Sequence, residues 1–127
     1  METAVKGGQG KGGKMLEITS ENFDKEVKSS KEPVLIDFWA PWCMPCKMIL
    51  PAVDALAGQM KGKIKVCKLN VDESPELATQ LSILNIPTLV LFKNGREATR
   101  IVGVNSKEAI EEAAAASPSL FPGRNRS

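Results

Sequence analysis

Residues 34–40 read Val-Leu-Ile-Asp-Phe-Trp-Ala, a nearly unbroken apolar run with one charge in its middle. A strand with one solvated face alternates apolar and polar residues. A run without alternation belongs to a central strand buried on both faces. Such a strand needs helices on both sides of its sheet, and the rest of the chain has to supply them.

It does. "KMLEI", residues 14–18, predicts a short strand, and Thr19 or Ser20 caps a helix reaching about Lys28. After the apolar run, a long helix is expected from Cys43 to about Met60, bent at Pro51, which has no backbone N–H to donate. "KIKVCKLNV" predicts a second parallel strand, closing a right-handed strand–helix–strand crossover. Ser74 then caps a short helix with Pro75 at its first position. "PTLVLF" and "ATRIVGV" flank Lys93-Asn94-Gly95-Arg96, and Asn-Gly is the strongest short hairpin signal. Asn105 or Ser106 opens a last helix over "KEAIEEAAAA". The expected fold class is α/β, a three-layer sandwich with a central mixed sheet of about five strands flanked by four helices.

The chain has 127 residues, enough for one domain with its own core. Residues 1–14 are rich in Gly and Lys without an apolar period. They are read as a disordered leader, native or left over from expression, or else as a basic arm. Residues 15–116 form the expected domain, and 117–127, with two prolines and a glycine, a flexible tail. Net charge is +2, and Lys6, Lys11, Lys14, Arg124 and Arg126 lie in the two ends, so the body is mildly acidic. No broad basic face is available for nucleic acid. No apolar run reaches membrane-spanning length, and no secretory h-region precedes the domain. Histidine is absent, which removes Ser/His/Asp and Cys/His catalysis and imidazole metal sites. Three cysteines are too few for a Cys₄ zinc site or a secreted disulfide framework and suit a reducing compartment.

Cys43-Met44-Pro45-Cys46 follows the apolar run directly. Placed at the first turn of a helix, Cys43 meets unpaired N–H groups and the positive end of the helix dipole, which favour its thiolate. Pro45 fits that turn, and Lys47 adds positive charge. Cys46, three residues on, shares the face of Cys43 and can close a disulfide with it. The site also lies beyond the carboxyl end of a central strand, where open α/β sheets bind ligands. Half of a zinc site and a structural disulfide are the alternatives. The first lacks a second ligand pair, and the second closes so small a loop that it contributes little entropy. Redox chemistry explains the pair better.

Asp37 interrupts the apolar run at a buried position, where desolvation raises a carboxyl pKa. Lys68 is placed to compensate it, since Ile64, Val66 and Lys68 alternate onto one face of the neighbouring strand. The pair reads either as a structural ion pair or as a proton acceptor for Cys46. Pro87 opens a strand. Sequence alone favours a trans Ile86–Pro87 bond, while a cis bond leaves the Ile86 backbone free to pair with a substrate strand. Cys67 faces the other side of its strand and reads as a small core residue, with a regulatory thiol the lesser alternative.

Taken together, these residues resemble the thioredoxin family from about Met15 to Ala116. The landmarks occur in order: "LIDFWAPWC", "PCKMI", "KLNVDE", "IPTLVLFKNG" and "VGV". The resemblance implies a thioredoxin-like fold and a thiol–disulfide oxidoreductase working as a protein-disulfide reductase. Cys43 is then the exposed nucleophile and Cys46 the resolving thiol, together the redox-active disulfide. Asp37 is the buried acid/base and Lys68 its partner. Trp39 and Trp42 frame the site, Pro45 and Pro51 shape the helix, and Pro87 is a cis-proline beside the disulfide. Gly103 admits a substrate backbone, and Trp42, Met44, Ile86, Pro87 and Val104 supply the contact patch. No bound cofactor or metal is implied. Electrons are expected from NADPH or ferredoxin through a separate thioredoxin reductase, with disulfide-containing clients, a cytoplasmic location, a monomeric state and a role in electron transport and redox homeostasis.

Two positions depart from the family pattern. Met44-Pro45 stands where Gly-Pro is usual, which predicts an altered redox poise and partner choice with the reaction class retained. Asn85 stands where many members carry glycine. The rival functions are the same fold run as a disulfide oxidase or isomerase, and a docking module with incidental thiols. The absence of an h-region and of histidine between the cysteines weighs against the first.

Overall fold

A computed structural model describes residues 15–116. The leader and tail assigned from the sequence lie outside the described residues. Strand β1 is Leu16–Glu17, helix α1 Asp24–Lys28, β2 Val34–Trp39, α2 Met44–Gln59 and β3 Lys65–Asn70. Helix α3 is Pro75–Gln80, β4 Thr88–Lys93, β5 Arg96–Val102 and α4 Lys107–Ala116. The five strands form one mixed sheet in the order β1-β3-β2-β4-β5. β1, β3 and β2 run parallel, β4 runs antiparallel to β2, and β5 runs antiparallel to β4. The apolar run is therefore a central strand, paired to β3 on one side and β4 on the other.

The strand pleat divides the core in two. Val34, Ile36, Phe38, Cys67, Leu69, Val90 and Phe92 pack with Phe23 and Val27 near α1 and Leu77 of α3. Leu35, Val66, Leu89 and Leu91 pack on the other face with Ile49, Val53 and Leu56 of α2 and Ile110 and Ala114 of α4. Asp37 follows the parity of Leu35, so it points to the side covered by α2. Every one of residues 34–38 is buried, which is why the run cannot alternate.

Local signals account for the boundaries. Asn94 and Gly95 both take positive φ, 56° and 79°, as a two-residue hairpin turn requires. Ser106 caps α4 by accepting the Ala109 amide through Oγ at 3.0 Å. Ser74 precedes Pro75 as expected, but makes no side-chain cap bond. The first helix differs from expectation. Neither Thr19 nor Ser20 is its N-cap: that position is Phe23, without a side-chain cap bond. Thr19 belongs to the turn before it, accepting the Glu21 amide at 3.2 Å while its own amide donates to Asn22 Oδ1 at 2.8 Å. The segment then winds as a π-helix, with the Ser29 amide bonded to Asp24 O at 2.9 Å. No helix of the described residues is long and apolar enough to cross a membrane.

Candidate functional site

Cys43 sits one position earlier than expected. It is the N-cap of α2, with extended backbone (φ −91°, ψ 107°), and Met44 is the first helical residue. Its sulfur takes the place of a capping oxygen and accepts the Cys46 amide at 3.2 Å. Pro45, in the first turn, lacks an N–H where none is needed. Cys43 and Cys46 are joined as a disulfide, with Cα atoms 5.3 Å apart. Pro51 lies inside α2 and leaves the Lys47 carbonyl without its usual i+4 donor.

The expectation of an exposed Cys43 is corrected by the structure. Cys43 is 4 % exposed and Cys46 2 %. In the disulfide the first sulfur is drawn inward to its partner and lies 3.9 Å from the Ile86 carbonyl oxygen. Ala40, Trp39, Val71 and Ile86 pack around the pair. The rim is where the exposure lies, with Trp42 68 % and Met44 67 % open to solvent. Val104 is also exposed.

The Ile86–Pro87 bond is cis, as the resemblance implies and against the preference read from local sequence. Isomer choice follows the tertiary fit, which a local reading does not contain. Pro87 O accepts the Gly103 amide at 2.9 Å, so the proline loop and the end of β5 are tied together beside the disulfide. Gly103 has φ 91°, and a Cβ built there meets nothing within 4 Å. The glycine is demanded by backbone conformation and leaves open space above it. Asn85 contributes its carbonyl, which accepts from Thr88 Oγ1.

Asp37 is 1 % exposed, and among the described residues neither carboxylate oxygen has a hydrogen-bond partner. Burial pushes its pKa up to about 7, with the Lys68 charge pulling weakly the other way. Lys68 is its register partner across β2 and β3, but no direct ion pair joins the two among the described residues. The ammonium lies 5.6 Å from the centre of the Trp39 ring instead. The aromatic face offers a long side chain a stabilising contact that still keeps its charge near the carboxyl. Trp39 Nε1 is buried without a partner among the described residues. Cys67 is fully buried in the core on the opposite sheet face, and burial pushes its thiol up to about 12.

One participant was missed from sequence. Asp72 Oδ2 accepts the Trp42 indole N–H at 3.0 Å, anchoring an exposed ring over the site. Asn70 Oδ1 in turn accepts the Asp72 amide at 2.9 Å. Both lie in "KLNVDE", where only the landmark, not the bond thirty residues back to Trp42, was legible.

The comparisons with known proteins agree with this geometry. The thioredoxin family model matches residues 14–116. The chain is 48 % identical over 96 residues to "Thioredoxin 1" of Nostoc sp., covering 76 % of this chain and 90 % of that one. It is 48 % identical over 90 residues to "Thioredoxin M5, chloroplastic" of Oryza sativa subsp. japonica, covering 71 % and 52 %. It is also similar to the "Bifunctional thioredoxin reductase/thioredoxin" of Mycobacterium leprae, 43 % identical over 98 residues and covering 77 % and 21 %. With a Cys-x-x-Cys disulfide at the start of α2 and matches spanning the whole described domain, the chain belongs to the thioredoxin family of thiol–disulfide oxidoreductases.

Proposed function

We propose the following course for the protein-disulfide reduction that this family member carries out. In the dithiol form the Cys43 thiolate attacks a client disulfide, a client sulfur departs as thiolate, and a Cys43–client mixed disulfide remains. The Cys46 thiol gives its proton to the Asp37 carboxylate and attacks the Cys43 sulfur. The client leaves reduced, and the Cys43–Cys46 disulfide re-forms. Two electrons pass from this protein to the client.

One observation carries the reading: the disulfide sits at a helix N-terminus with a backbone N–H aimed at the first sulfur. On reduction that amide and the helix dipole act on the sulfur that has to become a thiolate. A carboxyl with a pKa of about 7 supports Asp37 as the group that exchanges a proton near neutrality, and Lys68 as the charge that keeps it from rising further. Trp42, Met44, Ile86, Pro87, Gly103 and Val104 form the proposed client contact. An extended client segment pairs with the Ile86 backbone over the space above Gly103. Met44-Pro45 gives the site a redox poise and client choice unlike those of a Gly-Pro pair.

Electrons return through a separate thioredoxin reductase fed by NADPH or ferredoxin. The relative that carries both activities in one name supports such a pairing. The protein acts as a monomer, without a bound cofactor or metal, in a reducing compartment, the cytoplasm, where it serves electron transport and redox homeostasis. The test is an NADPH-coupled assay with thioredoxin reductase and oxidised insulin, run beside Cys43→Ser. Turnover by the wild type and none by the variant supports the reading; insulin reduction by the variant overturns it.

A further inference from the structure

Arg100, on β5, makes four hydrogen bonds that the redox chemistry does not by itself call for. Nε and Nη2 meet the two oxygens of Glu97 at 2.7 Å each. Nη1 donates to the Ser82 carbonyl at 3.0 Å, and Nη2 also donates to the Leu81 carbonyl at 2.8 Å. In a regular strand residues three apart point to opposite faces, so Glu97 and Arg100 should not meet. Here β5 carries a bulge: Leu91 pairs with Thr99 while Phe92 pairs with Glu97, leaving Ala98 as the extra residue. The bulge resets the alternation. It turns Glu97 and Arg100 to the same side and Ala98 and Ile101 to the core on the other.

The two carbonyls that Arg100 holds belong to the end of α3, where helix carbonyls lack intrahelical donors and a cation is favoured. Ser82 there has φ 57°, and the chain turns toward Ile86. The Ile83 amide bonds back to Ala78 O at 2.9 Å. At the far end of the same segment the Gly103 amide, three residues beyond Arg100, holds Pro87 O at 2.9 Å. The end of β5 thus grips the 81–87 segment at both ends, and the Ile86 carbonyl, 3.9 Å from Cys43 Sγ, lies between the grips.

We propose that the Glu97–Arg100 pair is a positioning clamp that presents the Ile86 backbone to client segments beside the redox pair. Glu97 orients the guanidinium, and Arg100 fixes the entry of the segment whose exit Gly103 holds. The inference rests on the proposed pairing of clients with Ile86. Its expected signature is a defect in client binding with little change in the chemistry.

The experiment is steady-state reduction of oxidised insulin, with thioredoxin reductase and NADPH, by the wild type, Arg100→Met, Glu97→Gln and Arg100→Lys. Arg100→Met is expected to raise KM for insulin about tenfold and to change kcat less than twofold. Glu97→Gln should give a smaller rise, and Arg100→Lys, which keeps one donor for the carbonyls, a partial rescue. A merely structural role reduces the folded fraction, which lowers kcat and leaves KM alone. That pattern, or an unchanged KM in Arg100→Met, overturns the clamp. An inactive wild type would instead overturn the reductase reading, so the two failures are told apart.

Discussion

The Cys46 amide donates to the Cys43 sulfur across 3.2 Å, so Cys43 caps its helix through the amide of its own disulfide partner. A charge-assisted bond of this kind favours a thiolate over a thiol at Cys43. Among the described residues no backbone amide is bonded to the Cys46 sulfur, and Cys46 is as buried as its partner. The asymmetry predicts which sulfur clients meet. Cys46→Ser should accumulate a stable Cys43–client mixed disulfide, seen as an adduct by intact-mass analysis under non-reducing conditions. Steady turnover by Cys46→Ser refutes the assignment of roles.

Asp37 makes stability depend on pH in a stated direction. Its carboxyl titrates at about 7 in the folded protein and at ~4 in the unfolded chain. Below ~4 both states hold the proton and there is no difference. Between ~4 and ~7 the unfolded chain has lost the proton that the folded one keeps, so stability falls as pH rises, and above ~7 the full penalty remains. That penalty is on the order of 4 kcal/mol. Urea unfolding of the oxidised protein should therefore show Asp37→Asn gaining on the wild type by about this amount between pH 4 and pH 8. A gap that does not change with pH removes the buried charge from the explanation.

The same residue shows what the sequence did and did not carry. A charge inside an apolar run announced burial, and alternation put Lys68 on the neighbouring strand opposite it; the register bears this out. The ammonium's preference for the Trp39 ring was not legible, because it depends on side-chain reach and not on strand parity. The burial of Cys43 was missed for a similar reason. Helix-start chemistry located the sulfur, but its inward direction depends on the bond to Cys46 and on Ile86, forty-three residues away. Most elements, the parallel strand–helix–strand pair and the hairpin followed from local pattern, since each rests on pleat, cap or turn residues close in the chain, whereas the strand order β1-β3-β2-β4-β5 did not. The π-wound first helix and the β5 bulge did not, because both are set by packing against the sheet.

Met44 is an apolar side chain with two-thirds of its surface in water, next to Cys43 of the redox pair. Covering such a side chain with a client contributes about 1–2 kcal/mol, less than full burial because the contact is one-sided. Met44→Gly is expected to raise KM for a protein disulfide roughly five- to thirtyfold. Its reaction with dithiothreitol, too small to cover the rim, should change only by what the altered redox poise imposes, so that rate measures the poise apart from the rim contact. Steady-state kinetics with insulin and stopped-flow fluorescence with dithiothreitol separate the two. An unchanged KM removes Met44 from the client contact.

Gly95 ties the hairpin to the first helix. Its φ is 79°, and a Cβ there falls 2.9 Å from the Lys28 carbonyl oxygen, a backbone atom that cannot swing aside. Gly95→Ala therefore meets two penalties, left-handed backbone strain and displacement of the end of α1. Together they cost on the order of 2–3 kcal/mol. The turn lies at the end of β4 opposite Thr88 and the proline loop, so the damage should stay remote from the redox pair. Urea denaturation should show the full loss, while the KM for insulin at a temperature where the variant is folded stays at the wild-type value. A variant as stable as the wild type means that the Lys28 carbonyl yields, and α1 is then not held by this turn.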